Sequence, residues 1–169
     1  MDNQDIRVIH LKSHDIERAA RFFNYDRTGY DDRALRECMA QGAWGVLLAE
    51  TADGVDIGGC YLNWVPKYPL YRRLELPELQ DLRVSPDWRR RGVATRLIAT
   101  CEDMARGGGA RGMGLSVGLY ADYGPAQRLY TKLGYVPDGQ GVTYDRVAVV
   151  PGARHPVDDD LTLMLLKFF

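Results

Sequence analysis

The chain reads as a single α/β domain: a mixed central sheet, antiparallel in its first half, with a parallel strand pair in its second half and helices on its flanks. Two observations carry this. Strand-like apolar runs outnumber helical periodicities along the sequence. Between two of those runs, Glu78 to Val84 and Gly114 to Tyr120, stands one strongly periodic helix, and a strand–helix–strand unit of this kind closes as a right-handed parallel crossover. At 169 residues the chain is long enough to bury a real core, so residues 1–169 are expected to form one domain.

The elements follow in order. Ile6 to Leu11 reads as a strand. Ser13 is placed to cap a helix, with Glu17 supporting its first turn and Ile16, Ala19, Ala20 and Phe23 on one face. A second short helix is expected over about Asp31 to Met39, ended by Gly42. Trp44 to Glu50 and Val55 to Val65 read as strands joined across Ala52-Asp53-Gly54. Lys67 to Leu76, marked by aromatics and proline, reads as a loop. The strand Glu78 to Val84 is closed by Ser85-Pro86-Asp87. In the helix beyond it, Ala94, Leu97, Ile98, Cys101, Met104 and Ala105 recur on one face, and Gly107-Gly108-Gly109 ends it. After the strand Gly114 to Tyr120, Asp122 is placed to cap a helix whose face is Ala126, Leu129, Tyr130 and Leu133, with Gly134 at its end. The last strand is Leu161 to Phe168.

Composition narrows the function classes. The net charge of −1 gives no overall basic field, so no nucleic-acid partner is expected. Cys38, Cys60 and Cys101 are odd in number and widely spaced, which fits neither a disulfide framework nor a zinc motif and points to a reducing, cytoplasmic compartment. The polar start Met1-Asp2-Asn3-Gln4-Asp5 has no signal-peptide pattern, and no apolar run is long enough to span a membrane. His10, His14 and His155 lack ligand spacing, so no metal is expected. The apolar segment Leu161 to Phe169 is a candidate for pairing with a second copy of the chain.

Chemistry concentrates at Arg89-Arg90-Arg91-Gly92-Val93-Ala94-Thr95. Three cations crowd a helix start, where the macrodipole is already positive, and that placement is unfavourable unless an anion offsets it. Gly92 permits close backbone approach, Ala94 keeps the first turn uncrowded, and Thr95 adds a hydroxyl. The site predicted is one for a phosphate-bearing ligand. A literal Gly-x-Gly-x-x-Gly at Gly107, Gly109 and Gly112 lies between a helix and a strand, the wrong order for dinucleotide binding.

Read together, Leu79-Gln80-Asp81-Leu82-Arg83-Val84, the motif Arg89-x-x-Gly92-x-Ala94 and Asp122-Tyr123-Gly124-Pro125-Ala126-Gln127-Arg128-Leu129-Tyr130-Thr131-Lys132-Leu133-Gly134-Tyr135 resemble the GNAT superfamily of N-acetyltransferases. The match spans a core of about 78–136; about 12–76 match in element order only and are the expected substrate side. The resemblance implies acetyl-CoA as cosubstrate and a strand pair that splays to admit its pantetheine arm. By position it implies that Arg89, Arg90, Arg91, Gly92, Val93, Ala94 and Thr95 hold the pyrophosphate. Val84 would pair with the arm, and the Leu82 N–H would face the thioester carbonyl and serve as oxyanion donor. Tyr130 would contact the cofactor and act as general acid. Glu78 matches the glutamate base of histone-acetylating members; Asp81 in the same strand is a second candidate, through water, and Glu75 lies nearby. One departure is plain, since Tyr123 stands where many members carry Asn.

Gly118 suits a close approach to the backbone, or a bulge. Trp64, Tyr68 and Tyr71 are candidates for an aromatic wall around the acceptor, the amine of a small molecule or peptide. Asp158-Asp159-Asp160 is either a lure for a cation or a solvated turn. Two other readings stay open: an acyl-CoA-binding sensor or interaction module without turnover, and an enzyme that uses another nucleotide-phosphate ligand at the same turn.

Overall fold

The computed structural model describes residues 6–23 and 32–169. The helix expected over about Asp31 to Met39 starts one residue outside that range; its described part is given below. The chain divides into two compact units, Met1–Val65 with Leu79–Met104, and Pro66–Glu78 with Ala105–Phe169.

In the first unit, strands β1 (Arg7–His10), β2 (Trp44–Glu50), β3 (Asp56–Asn63) and β4 (Glu78–Val84) lie in that order. Helices α1 (Ile16–Phe23), α2 (Asp32–Ala40) and, after α3 in the other unit, α4 (Val93–Gly107) accompany them. The β2–β3 hairpin closes where expected: Thr51 N–H donates to the Val55 carbonyl at 3.0 Å and Gly54 N–H to that of Thr51 at 2.9 Å. The cap expected at Ser13 is different. Ser13–Asp15 form a 3-10 turn ahead of α1, and the Asp15 carboxylate accepts from the Lys12 backbone N–H at 3.2 Å. A carboxylate three residues on reaches that donor, so the serine hydroxyl is not the cap.

Alternation along β2 and β3 sorts the side chains onto two faces. Val46, Leu48 and Tyr61 join Leu11, Ile16, Ala19, Phe23 and Leu35 in one buried cluster. The Phe23 and Tyr61 rings lie 4.5 Å apart. Gly58 and Cys60 face the other way, toward α4: the Cys60 and Cys101 sulfurs are 3.6 Å apart and both are buried. A Cβ on Gly58 would sit 2.7 Å from Val93 Cγ1, and one on Gly59 2.8 Å from Phe23 Cζ. The doublet Gly58-Gly59 therefore lets helices close on both faces of one strand.

In the second unit, β5 (Gly112–Gly118), β8 (Leu161–Phe168), β6 (Val136–Tyr144) and β7 (Val147–Ala148) are neighbours in that order. All three pairings are antiparallel, with Gly112 opposite Phe168, Val136 opposite Leu166 and Tyr144 opposite Val147. Strand β8 has β5 on one edge and β6 on the other, so its backbone is paired within the chain on both sides. Helices α3 (Pro69–Leu74) and α5 (Gly124–Lys132) complete the unit. Helix α3 replaces the loop expected over Lys67 to Leu76. It is six residues long, too short to show a period, with proline at its start and Glu75 left-handed at its end (φ 55°). Its Tyr71 is fully buried, with the hydroxyl donating to the carbonyls of Leu115 (2.9 Å) and Leu165. The Tyr71 ring fills the space over Gly114, where a Cβ would meet it at 2.4 Å. Strand β5 starts two residues earlier than expected, because Gly112 is already paired with β8. Asp122 does not cap α5: it lies in a 3-10 turn, Ala121–Tyr123, that leads into the helix.

Two measurements check this packing. Gly58→Ala is expected to cost about 1–3 kcal/mol, because Val93 and the Arg83 carbonyl, 3.3 Å from the new Cβ, leave it no room. An unchanged denaturant midpoint would refute the close seat of α4. On the same unit, Arg18 donates to Glu50 and to Asp56, and Arg7 pairs with Glu50 at 2.8 Å. The hydrogen bond from Arg18 holds the Glu50 carboxyl below the usual carboxylate range. A carboxyl depressed in the folded state stabilises above its unfolded value, about 4.3, and loses that contribution as pH falls through its folded value. Glu50→Gln is therefore expected to lower the midpoint at pH 7 and to lose its deficit below about pH 4; a deficit equal at pH 7 and pH 3 would exclude this linkage.

Candidate functional site

The turn from β4 into α4 gathers left-handed backbone, exposed cations and a helix start in one place. Pro86–Trp88 form a 3-10 turn, and Arg90 (φ 61°) and Gly92 (φ 81°) take left-handed backbone. That conformation is unfavourable for arginine and free for glycine. The Gly92 carbonyl accepts the first helical bond, from Arg96 N–H at 3.0 Å, which makes Gly92 the residue flanking the helix start. The N–H groups of Val93, Ala94 and Thr95 then have no acceptor within the helix. Arg89, Arg90, Arg91 and Thr95 are exposed, while the Val93 side chain is buried and anchors the turn. Arg91 stacks on the Trp88 ring, 5.1 Å from its centroid, and Arg89 Nε donates to the Val84 carbonyl at a long 3.3 Å.

Strand β4 is kinked one residue before Leu82: Asp81 has φ 50°, inside an otherwise extended run. Left-handed backbone at a non-glycine residue is unfavourable and re-aims the backbone groups that follow. Leu82 and Val84 are both half-buried. The Asp81 carboxylate is partly exposed and meets Arg83 at 3.4 Å.

The second unit carries the other expected residues. Tyr130 is 7% exposed on α5, its ring edge-on to Tyr135 at 6.2 Å. Glu78, the first residue of β4, is fully buried and ion-paired to Arg146: Oε1 accepts from Nε at 3.0 Å and lies 2.9 Å from Nη2. Arg146 is a residue that no sequence signal singles out, since nothing in a hairpin apex 68 positions away marks it as the partner of Glu78. The aromatic wall is corrected. Tyr71 is sealed in the core as described, and Tyr68 is 5% exposed with its hydroxyl on Asp138 at 2.6 Å. Burial, then Asp138, pushes the Tyr68 hydroxyl's ionisation upward. Trp64, in the first unit, stays half-buried, its backbone N–H donating to the Ala43 carbonyl at 2.8 Å.

The group that approaches Gly118 is the chain's own Tyr123. A Cβ there would meet the Tyr123 ring at 2.4 Å, and Gln127 Nε2 donates to the Gly118 carbonyl at 2.8 Å. The Asp158-Asp159-Asp160 run is held by tyrosines. Tyr123 donates to Asp159 at 2.9 Å, Tyr120 donates to the same oxygen, and Tyr144 donates to Asp158 at 2.9 Å. Among the described residues no three His, Cys, Asp or Glu side chains gather as a metal-holding group, and no described helix is long and apolar enough to cross a membrane.

Residues 12–135, more than half of the chain, match the acetyltransferase (GNAT) family. No protein of curated description matches the sequence. Solved structures share its fold at low identity. A spermidine N-acetyltransferase SpeG chimera from Vibrio cholerae and hSSAT superposes with a TM-score of 0.69 at 14% identity, over 98% of this chain and 96% of that one. Arabidopsis thaliana NAA60, solved with a bisubstrate analogue, gives 0.69 at 18% identity over 96% and 97%. The protein yncA of Salmonella typhimurium, solved with its cofactor acetyl-CoA, gives 0.66 at 18% identity over 98% and 94%. These likenesses show the fold, a mixed α/β sheet with flanking helices.

A phosphate site at this turn has a direct test. Gly92→Glu adds bulk and a negative charge where the backbone is left-handed. Replacing Arg89 and Arg91 by Gln removes cations that oppose the helix dipole. Both variants are expected to weaken coenzyme A binding in calorimetric titration, the second with melting temperature equal or higher. Undiminished affinity in a folded Gly92→Glu variant would exclude the turn as the phosphate site.

Proposed function

The chain belongs to the acetyltransferase (GNAT) family, and we propose that it moves an acetyl group from acetyl-CoA to a primary amine of a small molecule or peptide by direct attack in a ternary complex. Both units belong to one catalytic domain in this reading. The observation that carries it is the start of α4, where Gly92 at φ 81° opens the backbone beside three exposed arginines. The chemistry of that donor set fits a pyrophosphate.

Acetyl-CoA supplies the acetyl group as a thioester. Gly92, Val93, Ala94 and Thr95 bind the diphosphate through backbone N–H groups, and Arg89, Arg90 and Arg91 offset its charge. The Val84 carbonyl accepts a long bond from Arg89, which an arriving amide exchanges at little cost. The Leu82 N–H, beyond the kink at Asp81, donates to the carbonyl oxygen as charge develops on it. An amine with a reference pKa of about 10.4 must shed a proton before it attacks. Two carboxylates of β4 are assigned to that proton, Asp81 through water and Glu78 from its pair with Arg146. Tyr130 returns a proton to the departing thiolate.

The substrate class is supported by the spermidine N-acetyltransferase and by NAA60, whose folds this chain shares. Of the aromatic residues expected around the acceptor, Trp64 is the one left partly accessible, and it is assigned to the amine's side of the site.

Tyr130→Phe separates the acid role from packing, since it keeps the ring on Tyr135 and removes the hydroxyl. With thiol release followed over a panel of primary amines, kcat is expected to fall about 10- to 10³-fold with coenzyme A affinity held. Wild-type kcat in a folded Tyr130→Phe variant would leave Tyr130 a core aromatic. Coenzyme A binding without thiol release from any amine would point instead to a sensor, and ATP or NAD bound in its place to a different enzyme.

A further inference from the structure

We propose that Arg146, at the apex of the β6–β7 hairpin, is a positioning residue for acetyl transfer: it clamps one oxygen of the buried Glu78 carboxylate and leaves the other directed to the acceptor's proton. The inference rests on the acetyl-transfer reading above and extends it to a residue outside the family motifs.

Three observations support it. The first is contact geometry. A guanidinium facing a carboxylate usually forms a fork, one N–H to each oxygen. Here Oε1 takes both close contacts, 3.0 Å from Nε and 2.9 Å from Nη2, while Oε2 has one long contact of 3.4 Å. The clamp fixes the rotamer and leaves Oε2 with acceptor capacity. Glu78 is 0% exposed, so in this proposal the proton reaches Oε2 by relay and not by direct contact with the acceptor.

The second observation is backbone. Asp145 (φ 45°) and Arg146 (φ 63°) are the two central residues of the β6–β7 turn, both left-handed. Two-residue hairpins of this type favour Asn-Gly, and arginine there is strained. The hairpin gains nothing from arginine as a turn former, whereas the side chain it projects reaches a carboxylate at the head of β4.

The third is energetic. The Glu78 carboxylate has no exposure and the Arg146 side chain keeps 25% of its own; the carboxylate's lost hydration is returned only in part by the attraction, and two apolar residues in place of such a pair are commonly as stable. Stability alone therefore does not account for the pair. The other groups around Glu78 do not substitute for Arg146. Tyr71 of α3 lies close enough for Glu78 to oppose its ionisation, but its hydroxyl is committed to two carbonyls. Tyr68 is committed to Asp138.

The test compares Arg146→Gln, Arg146→Lys, Glu78→Gln and the double variant in which Glu78 and Arg146 both become Met. Wild-type thiol release with the amine panel is measured first. Arg146→Gln is expected to lower kcat for the acceptor about 10-fold or more, with the KM for acetyl-CoA and the coenzyme A affinity unchanged. Arg146→Lys should recover part of the rate, and Glu78→Gln should lower it at least as far as Arg146→Gln. The double Met variant should match the wild type in melting temperature and stay slow. Recovery of wild-type kcat in the double Met variant, or wild-type kcat in a folded Arg146→Gln variant, would reduce the pair to a strut and overturn the proposal while acetyl transfer stands. Absence of thiol release from the wild type would overturn both.

Discussion

Close approach to strand glycines is the constraint on which the rest depends. In the first unit, α4 can lie against β3 only because Gly58 presents no Cβ to Val93 and Leu97. In the second, Tyr71 can reach the carbonyls of Leu115 and Leu165 only because Gly114 leaves room for its ring. Packing at these distances has no slack, since interiors are filled to near crystal density and a single methyl group must displace a neighbour. A site built on such contacts inherits their precision. Val93 is at once the residue seated over Gly58 and the first residue of α4. The glycine in β3 thus fixes where the helix begins, and so where its unpaired amides stand.

The helix start shows how local strain and local charge are tolerated together. Left-handed backbone at Arg90 and an uncompensated cluster of cations at the positive end of a helix are each unfavourable. An anion at this turn would offset both, which is why the turn is proposed as the phosphate site. Stacking of Arg91 on Trp88 and the weak bond from Arg89 to Val84 hold the guanidinium groups near the turn without committing them.

Most of the chain's architecture was legible in the sequence because it is periodic. The strands Trp44–Glu50 and Glu78–Val84 and the long helix α4 carry their pattern over enough residues to be read. What escaped is short or distant. Helix α3 has too few residues for a period to show. The helix starts at Ser13 and Asp122 were misassigned because a 3-10 turn intervenes and carries the polar residues out of register with the α-helix. The turn proposed for phosphate stands out in the sequence because its residues are contiguous: cations, glycine and a helix start follow one another. The acceptor side was not. Tyr68 and Tyr71 resemble ligand-facing aromatics on paper, yet burial and two backbone carbonyls claim Tyr71, and Asp138, seventy positions from Tyr68, claims the other.

The way carboxylates are partnered in the second unit follows burial. Asp159 is exposed and Asp158 and Asp138 are half-buried; each accepts from a phenol, a neutral donor that serves where water still shares the charge. Burial and then the carboxylate push the ionisation of Tyr68 and Tyr123 upward, and at Tyr144 the bond to Asp158 leads, so the phenols remain donors at neutral pH. The acidic run at Asp158-Asp159-Asp160 is thereby a staple that ties the approach to β8 to tyrosines from β6 and from the start of α5. Glu78 is different in kind. With no exposure to water its charge needs a full counter-charge, and the chain supplies one from a hairpin apex where arginine is conformationally disfavoured. Burial dictates the cation, but it does not dictate an acid at that position. An apolar residue at the head of β4 would avoid both the desolvation and the strained turn, and the proposed proton-accepting role of Glu78 would account for a carboxylate there instead.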